Sequence, residues 1–271
     1  MTTVFNSLDN LKEYIKTHDE QSKLLELLNY VVAKNLEPEY FNFLLNKLDN
    51  KLSNETLFNY ITEYINLENL KMINFIISKL NYNYHDDENL IMITAIKKGN
   101  KEIIKFFTNQ IDIYKDNNIF LSYSLNNLSI FKFLIKIGLR PNESNNVYYK
   151  LIVFGKLEFI KYLLDKIKLP LNTEKNLYLY IEKAIINNHI KTVKYLLLKD
   201  IKFNPKNPND LLIKCIQNNT GTNCSISNIK YLMKNNNIDI HYNDDEIIKL
   251  SKNNNKIYNY LIVNNLLKNK E

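Results

Sequence analysis

The sequence predicts an all-α fold built from stacked pairs of helices, and three observations support this prediction. A phrase of five residues recurs eight times along the chain. Its first residue is apolar, its second is Lys or Asn, its third is aromatic, and its last two are mostly apolar. The segments that contain the phrase have the apolar spacing of an amphipathic helix. In five of these segments a Gly or an Asn lies five residues before the phrase.

The first observation is the period of the phrase. Its central aromatic residues are Phe43, Phe75, Phe106, Phe133, Tyr162, Tyr195, Tyr231 and Tyr260. Successive aromatics are 32, 31, 27, 29, 33, 36 and 29 residues apart. A period of about 30 residues is typical of repeat proteins, in which each repeat buries its apolar face against the next one. We therefore expect one continuous array of about seven to nine repeats with atypical ends.

The beginning of the chain fits the pattern least. Residues 2–18 are interpreted as a capping half-repeat, and residues 21–52 keep only the phrase of the second helix. We therefore place an N-terminal capping and degenerate repeat region at 1–53 and the regular array at 54–271.

The clearest repeat covers residues 88–116. An apolar run at 90–96 predicts a short first helix, and Lys97-Lys98-Gly99-Asn100 predicts a turn. A second, antiparallel helix then begins at Glu102, and a loop follows at 112–116. In the second helices apolar residues recur at i, i+3, i+4 and i+7, which is one face of an α-helix.

The turn between the two helices is the third observation. The residue five before the phrase is Gly99, Asn126, Gly155, Asn188 and Asn253 in five repeats. Gly and Asn are the residues that most readily adopt a left-handed backbone conformation. The sequence therefore predicts a positive φ angle at this position of the turn.

These residues resemble the ankyrin-repeat family. The run from Ala95 to Phe107 is similar to the helix-turn-helix centre of an ankyrin repeat, and Ile111 to Asp116 is similar to the strand-forming finger that follows it. Ile238 to Glu246 is similar to the finger of divergent ankyrin-repeat proteins encoded by large DNA viruses with AT-rich genomes, and 83–88 repeats it more loosely. The resemblance covers roughly residues 54–267.

The resemblance implies an ankyrin-like α-solenoid of stacked helix-turn-helix repeats with short or irregular finger loops. The Thr-Pro-Leu-His opening of the first ankyrin helix is absent from every repeat, so the fingers are expected to depart from the family pattern. A solenoid of helical pairs without fingers is the structural alternative.

The net charge of +7 raises the alternative of a lysine-rich nucleic-acid-binding repeat protein. Arg140 is the only arginine, although arginine is the residue best suited to phosphate and base recognition. The lysines are spread over the predicted helices, and the distribution of charge is more diagnostic than its total. We therefore expect a solvated lysine surface, and nucleic acid as a partner is disfavoured.

Few residues suggest a catalytic or metal-binding role. The histidines His18, His85, His189 and His241 are separated by whole repeats, whereas a zinc site needs three or four converging ligands. Cys215 is expected to be a small core residue, and Cys224 lies in a polar insertion between 217 and 227. Glycine-rich phosphate loops and the common hydrolase motifs are absent. We expect no enzyme activity, no cofactor and no bound metal.

The sequence also suggests where the protein acts. Its first residues lack a basic start followed by an apolar run, and no stretch has the roughly 20 uncharged apolar residues that span a bilayer. We expect a monomer in the cytoplasm, possessing no membrane association.

Recognition of another protein is the predicted function. The resemblance implies binding on the concave face, through finger tips and exposed positions of the first helices, to a host or cellular protein of unknown identity. The candidate partner-binding residues are Tyr84, His85, Tyr114, Lys115, Arg140, Asn142, Asn172, Asn204, Tyr242 and Asn243.

Overall fold

The computed structural model confirms an all-α fold for the part of the chain that it describes. The described residues are 5, 7–49, 52–80, 82, 88–114, 119–141, 147–168, 174–199, 207–218 and 226–268. Within these ranges the regular secondary structure is entirely helical, and no strand is present.

The helices of the described residues are numbered α1 to α17 in chain order. Their bounds in the N-terminal half are α1 Leu8–Ile15, α2 Gln21–Ala33, α3 Pro38–Leu45, α4 Asn54–Asn66, α5 Leu70–Lys79, α6 Glu88–Lys98, α7 Lys101–Thr108, α8 Ile119–Tyr123 and α9 Leu128–Lys136. Those in the C-terminal half are α10 Val147–Val153, α11 Leu157–Lys161, α12 Glu174–Ile186, α13 Ile190–Leu197, α14 Pro208–Asn218, α15 Ser227–Asn235, α16 Tyr242–Ser251 and α17 Asn255–Lys268. Helix α11 continues into a π-helical turn, Tyr162–Lys166.

After α1 the helices form pairs, and the recurring phrase lies in the second helix of each pair. The first and fourth residues of the phrase are buried in seven of the eight pairs, as Phe131 and Leu134 are in α9; in the last pair the first residue, Tyr258, is half-buried. The central aromatic is half-buried in all eight pairs. The phrase therefore marks one buried stripe with an aromatic row at its outer edge, as the helical spacing predicts.

Contacts divide the chain into two compact units, which we call the N-terminal body, Met1–Ile137, and the C-terminal body, Gly138–Glu271. In the N-terminal body, α2 packs on α4, α4 on α6 and α6 on α8. In the C-terminal body, α10 packs on α12, α12 on α14 and α14 on α16. Within each body the first helices thus follow one another in chain order. The predicted boundary at residue 53 stays a prediction.

The turns between the two helices of each pair test the predicted positive φ angles at glycine and asparagine. Gly99, Gly155 and Asn188 have φ angles of 87°, 64° and 63°, so the predicted left-handed conformation is confirmed at these positions. Asn35 and Glu68 also have positive φ, at 52° and 58°, and were not predicted.

Backbone hydrogen bonds hold the left-handed residue in place. After Asn35, Glu68, Gly155 and Asn188, the next amide donates to the carbonyl five residues earlier, as in Asn69 to Tyr64 at 2.9 Å and His189 to Ala184 at 2.8 Å. This is the bond of a Schellman motif, which satisfies a free carbonyl at the helix end. Because the bond itself selects the conformation, even Glu68 adopts it.

The prediction was wrong for Asn126 and Asn253, which do not have positive φ. In both turns a buried serine replaces the left-handed residue. The Ser124 and Ser251 hydroxyls donate to the carbonyls three residues earlier, each at 2.8 Å. The backbone carbonyls of Ser124 and Ser251 in turn accept from the backbone amides of Asn127 and Asn254. The chain continues through right-handed turns, so no left-handed residue is needed.

A second asparagine position, one residue later, begins the second helices. The Asn69, Asn100, Asn127 and Asn254 side chains accept from amides of the first turn of α5, α7, α9 and α17. Such N-caps satisfy amides that have no partner inside the helix. In α13 the position is His189, whose side chain makes no capping bond.

The N-cap residue of one pair also contacts the left-handed residue of the preceding pair. The Asn69 amide donates to Asn35 Oδ1 at 2.6 Å, and the Asn100 amide donates to Glu68 Oε2 at 3.1 Å. A β-carbon on Gly99 would lie 3.1 Å from Asn127 Nδ2. We call this set of contacts the turn ladder. It joins consecutive pairs at three junctions, between the left-handed residue of one turn and the N-cap Asn of the next pair.

Candidate functional site

The structure describes four of the ten candidate partner-binding residues: Tyr114, Arg140, Tyr242 and Asn243. The other six lie outside the described residues and stay predictions: Tyr84, His85, Lys115, Asn142, Asn172 and Asn204. Most of the polar insertion at 217–227, with Cys224, also lies outside them.

Tyr114 is presented by a turn that follows α7. Ile111 and Ile113 are buried, and between them Asp112 accepts a hydrogen bond from the Tyr114 amide through Oδ1 at 2.9 Å. The Tyr114 side chain is 55% exposed, and its hydroxyl donates to the Ile137 carbonyl at 3.0 Å. The ring is therefore exposed but held in one place.

The same turn recurs after α15. Ile238 and Ile240 are buried, and Asp239 Oδ1 accepts from the His241 amide at 2.9 Å. The Asp239 amide in turn donates to Asn209 Oδ1 at 3.0 Å, which ties the turn to α14. The described finger segments are thus side-chain-capped turns. The expectation of a strand-forming finger was wrong at 111–114, where the chain forms a turn and no strand.

Tyr242 and Asn243 follow this second turn. Tyr242 is half-buried, and its hydroxyl accepts from Asn207 Nδ2 at 3.1 Å. Asn243 is exposed, and its amide donates to Glu246 Oε2. Asn243 and the two residues after it have φ angles of 52°, 52° and 65°. Consecutive left-handed residues without glycine are uncommon, so this segment is a strained, exposed corner of the C-terminal body.

Arg140 lies in the segment before α10. Its neighbours Leu139 and Pro141 are buried, whereas Arg140 is exposed and its Nη1 donates to the Leu139 carbonyl at 2.9 Å. The structure therefore brings Tyr242 and Asn243 together in one corner. Arg140 is three helix pairs earlier in the chain, and Tyr114 belongs to the N-terminal body.

The described histidines take part in separate local contacts. The His18 ring stacks on Tyr14 with 4.2 Å between the ring centroids. The ring of His189 lies against Gly155, and burial lowers its pKa. His241 Nδ1 lies 2.6 Å from Asp245 Oδ1. Among the described residues no three His, Cys, Asp or Glu side chains are grouped so that they could hold a metal ion.

Cys215 is buried in α14, as the sequence predicts for a small core residue. Burial raises the pKa of its thiol to about 12. Because the thiolate is the nucleophilic form, this side chain is inert at neutral pH.

Sequence reasoning missed a lysine-lined surface on the second helices of the C-terminal body. A groove of about 390 Å³ between α13 and α15 is lined by Lys194, Lys230, Tyr231 and Lys234. A second groove of about 570 Å³ between α15 and α17 shares Lys230 and Lys234 and adds Tyr260. We call these two grooves together the lysine surface. The sequence signal for it is the absence of Asp and Glu from α13, α15 and α17.

None of the helices that the structure describes is both long enough and apolar enough to cross a bilayer. Comparison with known proteins adds no relative: the chain matches no protein-family model, no curated protein and no solved structure.

Proposed function

We propose that the chain is an ankyrin-like solenoid that binds another protein and performs no chemistry itself. The turn ladder is the observation that carries this proposal. It repeats one contact between corresponding positions of consecutive pairs, at Asn35 with Asn69 and at Glu68 with Asn100. Contacts that repeat with the sequence period are what a stack of equivalent hairpins requires.

The second support is the packing of first helix on first helix within each body. In a stack of this kind each repeat contacts only its neighbours, and the repeated surface is rigid. A rigid surface loses little conformational entropy when a partner docks, so its exposed residues contribute more of their contact energy to affinity.

The Ile-Asp-Ile turns supply the proposed anchors. Each turn buries two isoleucines, and its Asp side chain accepts from the amide of the next exposed residue, Tyr114 or His241. Tyr114 is such a residue, and Tyr242 follows the second turn. Aromatic and arginine side chains carry most of the binding energy in protein interfaces, so Tyr114, Arg140 and Tyr242 are the proposed anchors.

The partner is proposed to be a host or cellular protein, met in the cytoplasm. The resemblance to ankyrin-repeat proteins of large DNA viruses supports this choice.

The test is affinity purification from host cells with matched variants. Tyr114→Ala, Arg140→Ala and Tyr242→Ala are made singly, and Phe154→Ala serves as the control because its exposure, 57%, is close to the 55% of Tyr114. For a partner that copurifies with the unchanged protein, at least one anchor variant should weaken binding roughly tenfold or more. The control should bind as the unchanged protein does.

Two results contradict the proposal. One is a partner that binds all three anchor variants with unchanged affinity. The other is a nucleic acid as the bound species, revealed by an affinity that falls steeply as salt rises, since lysine contacts to phosphate release counterions.

A further inference from the structure

The C-terminal body separates its charges by helix. The second helices α13, α15 and α17 contain lysines and neither aspartate nor glutamate. The first helices of the same pairs, α12, α14 and α16, carry acidic residues, including Glu182, Asp210 and Asp245. Among the other second helices, α5 and α9 also lack acidic residues, whereas α7 contains Glu102 and α11 contains Glu158. A run of three consecutive second helices without an acidic residue therefore occurs only in these pairs.

The lysines of this surface are available to a partner. Lys194, Lys230 and Lys234 are exposed, and within the described residues none of them forms an ion pair. Elsewhere in the same body, Lys199 pairs with Asp165 at 2.7 Å and Lys214 pairs with Glu182 at 3.2 Å. Within the described residues, Lys194, Lys230 and Lys234 thus lie on helices that carry no acidic side chain.

The lysines also line two neighbouring grooves, one on each side of α15. Lys230 and Lys234 are shared by the groove against α13 and the groove against α17. Like charges that share a narrow groove repel one another, and a partner with negative charge removes that repulsion. The grooves are about 390 and 570 Å³, which suits an extended chain laid across three helices.

We propose that the lysine surface binds a carboxylate-rich segment of another protein. The surface is distinct from the anchors at Tyr114, Arg140 and Tyr242. Its lysines supply ammonium donors along the groove, and Met233 and the half-buried tyrosines form its apolar floor. Acidic side chains of the segment would contact these lysines, and its apolar side chains would contact the apolar floor.

The tyrosines favour an acidic protein segment over a nucleic acid. Single-stranded nucleic acids bind by stacking bases on exposed aromatic faces. Tyr231 and Tyr260 are half-buried, and the Lys230 ammonium lies 5.4 Å from the centroid of the Tyr260 ring, so that face is already covered. Burial also raises the pKa of both phenols, which keeps them neutral beside the carboxylates.

The test measures binding of a fluorescent polyglutamate peptide by anisotropy, with a glycine-serine peptide and an oligothymidylate as comparison probes. The unchanged protein should bind polyglutamate, and binding should weaken as salt rises. The variant Lys194→Gln, Lys230→Gln, Lys234→Gln should bind polyglutamate roughly tenfold more weakly or worse.

A variant with the same loss of charge in the N-terminal body is the matched control: Lys47→Gln, Lys105→Gln, Lys136→Gln. These lysines are also exposed, so both variants should keep the helical circular dichroism of the unchanged protein. The control should bind polyglutamate within about twofold of the unchanged protein, because single long-range surface charges are screened.

Three results would overturn the proposal. The control variant and the lysine-surface variant could weaken binding equally, which would mean that only net charge matters. The unchanged protein could fail to bind polyglutamate at low salt. It could also bind oligothymidylate more tightly than polyglutamate through the same lysines, which would assign the surface to nucleic acid. Alanine variants of Tyr114, Arg140 and Tyr242 should bind polyglutamate normally, so the two proposals fail independently.

Discussion

Gly155 lies in a turn where the next helix pair leaves no room for a β-carbon. Its φ angle is 64°, and a β-carbon there would lie 2.6 Å from Cγ of His189. Gly155→Ala should therefore lower the free energy of unfolding by roughly 2 kcal/mol, from the left-handed backbone and the displaced ring together. Urea denaturation followed by circular dichroism measures this change.

Gly99→Ala is the control for the contact with His189. Gly99 also has a positive φ, 87°, but a β-carbon there would lie at 3.1 Å from the end of the Asn127 side chain, which can shift. We expect a cost of about 1 kcal/mol, mainly from the backbone. Equal costs for the two substitutions would show that the His189 ring is not held against Gly155.

His189 itself should be replaceable with a gain in stability. It is the N-cap of α13 and makes no side-chain capping bond, whereas Asn caps the second helix at Asn69, Asn100 and Asn127. His189→Asn should supply the missing bond to an amide of the first turn. We expect about 1 kcal/mol of added stability at neutral pH, measured by urea denaturation.

The same substitution should change the dependence of stability on pH. Burial lowers the pKa of His189 from its ordinary 6.5, so the folded protein keeps the neutral ring while the unfolded chain takes up a proton. The stability held by the neutral ring is complete above pH 6.5 and is lost as pH falls from 6.5 towards the folded pKa. His189→Asn should make this part of the profile flatter. An unchanged slope would mean that His189 does not cause it.

Within a single helix, the recurring phrase places similar side chains in different environments. Phe131 and Phe133 both lie in α9, but Phe131 is fully buried and Phe133 is half-buried. Phe131→Ala should cost about 3 to 5 kcal/mol, because it leaves a cavity in the core. Phe133→Ala should cost roughly half as much, since part of its surface is already exposed to water. Thermal or urea unfolding of both variants checks the ratio, and equal costs would contradict the assigned register.

The sequence predicted the helix pairs but not the details of their turns. Apolar spacing reports which residues face the core, and this sufficed to place the second helices. It does not report which backbone amides lack a partner, so the N-cap asparagines one residue after the predicted position were missed. Glu68 was missed because its left-handed conformation comes from the bond between Asn69 and Tyr64, not from its own preference.

At the scale of the whole molecule, the two proposed surfaces were not equally visible in the sequence. Tyr114 and Tyr242 each lie within two residues after an Ile-Asp-Ile segment, so the local sequence is enough to predict their position. Lys194 and Lys230 are a full repeat apart, and they share a groove only because α13 and α15 pack side by side. Each helix alone carries an ordinary exposed lysine. Only the alignment of charge across consecutive repeats indicates the lysine surface.

The division into two bodies also predicts how fragments of the chain should behave. The N-terminal body ends at Ile137, after α9, and α9 buries Ile130, Phe131, Leu134 and Ile135. A fragment of residues 1–137 therefore keeps complete helix pairs, whereas a fragment of residues 1–126 leaves α8 without α9. Burial of each large apolar side chain contributes roughly 1.5 to 3 kcal/mol, so the shorter fragment loses several kcal/mol of packing.

We expect the 1–137 fragment to be helical and to unfold cooperatively on heating, and the 138–271 fragment to do the same. The 1–126 fragment should melt at a clearly lower temperature and over a broader range, because the apolar side of α8 has lost its partner helix. Circular dichroism during heating measures both properties. Equal melting of the 1–126 and 1–137 fragments would show that α9 adds nothing to the N-terminal body. Loss of cooperative melting in both the 1–137 and 138–271 fragments would show that the bodies do not fold on their own.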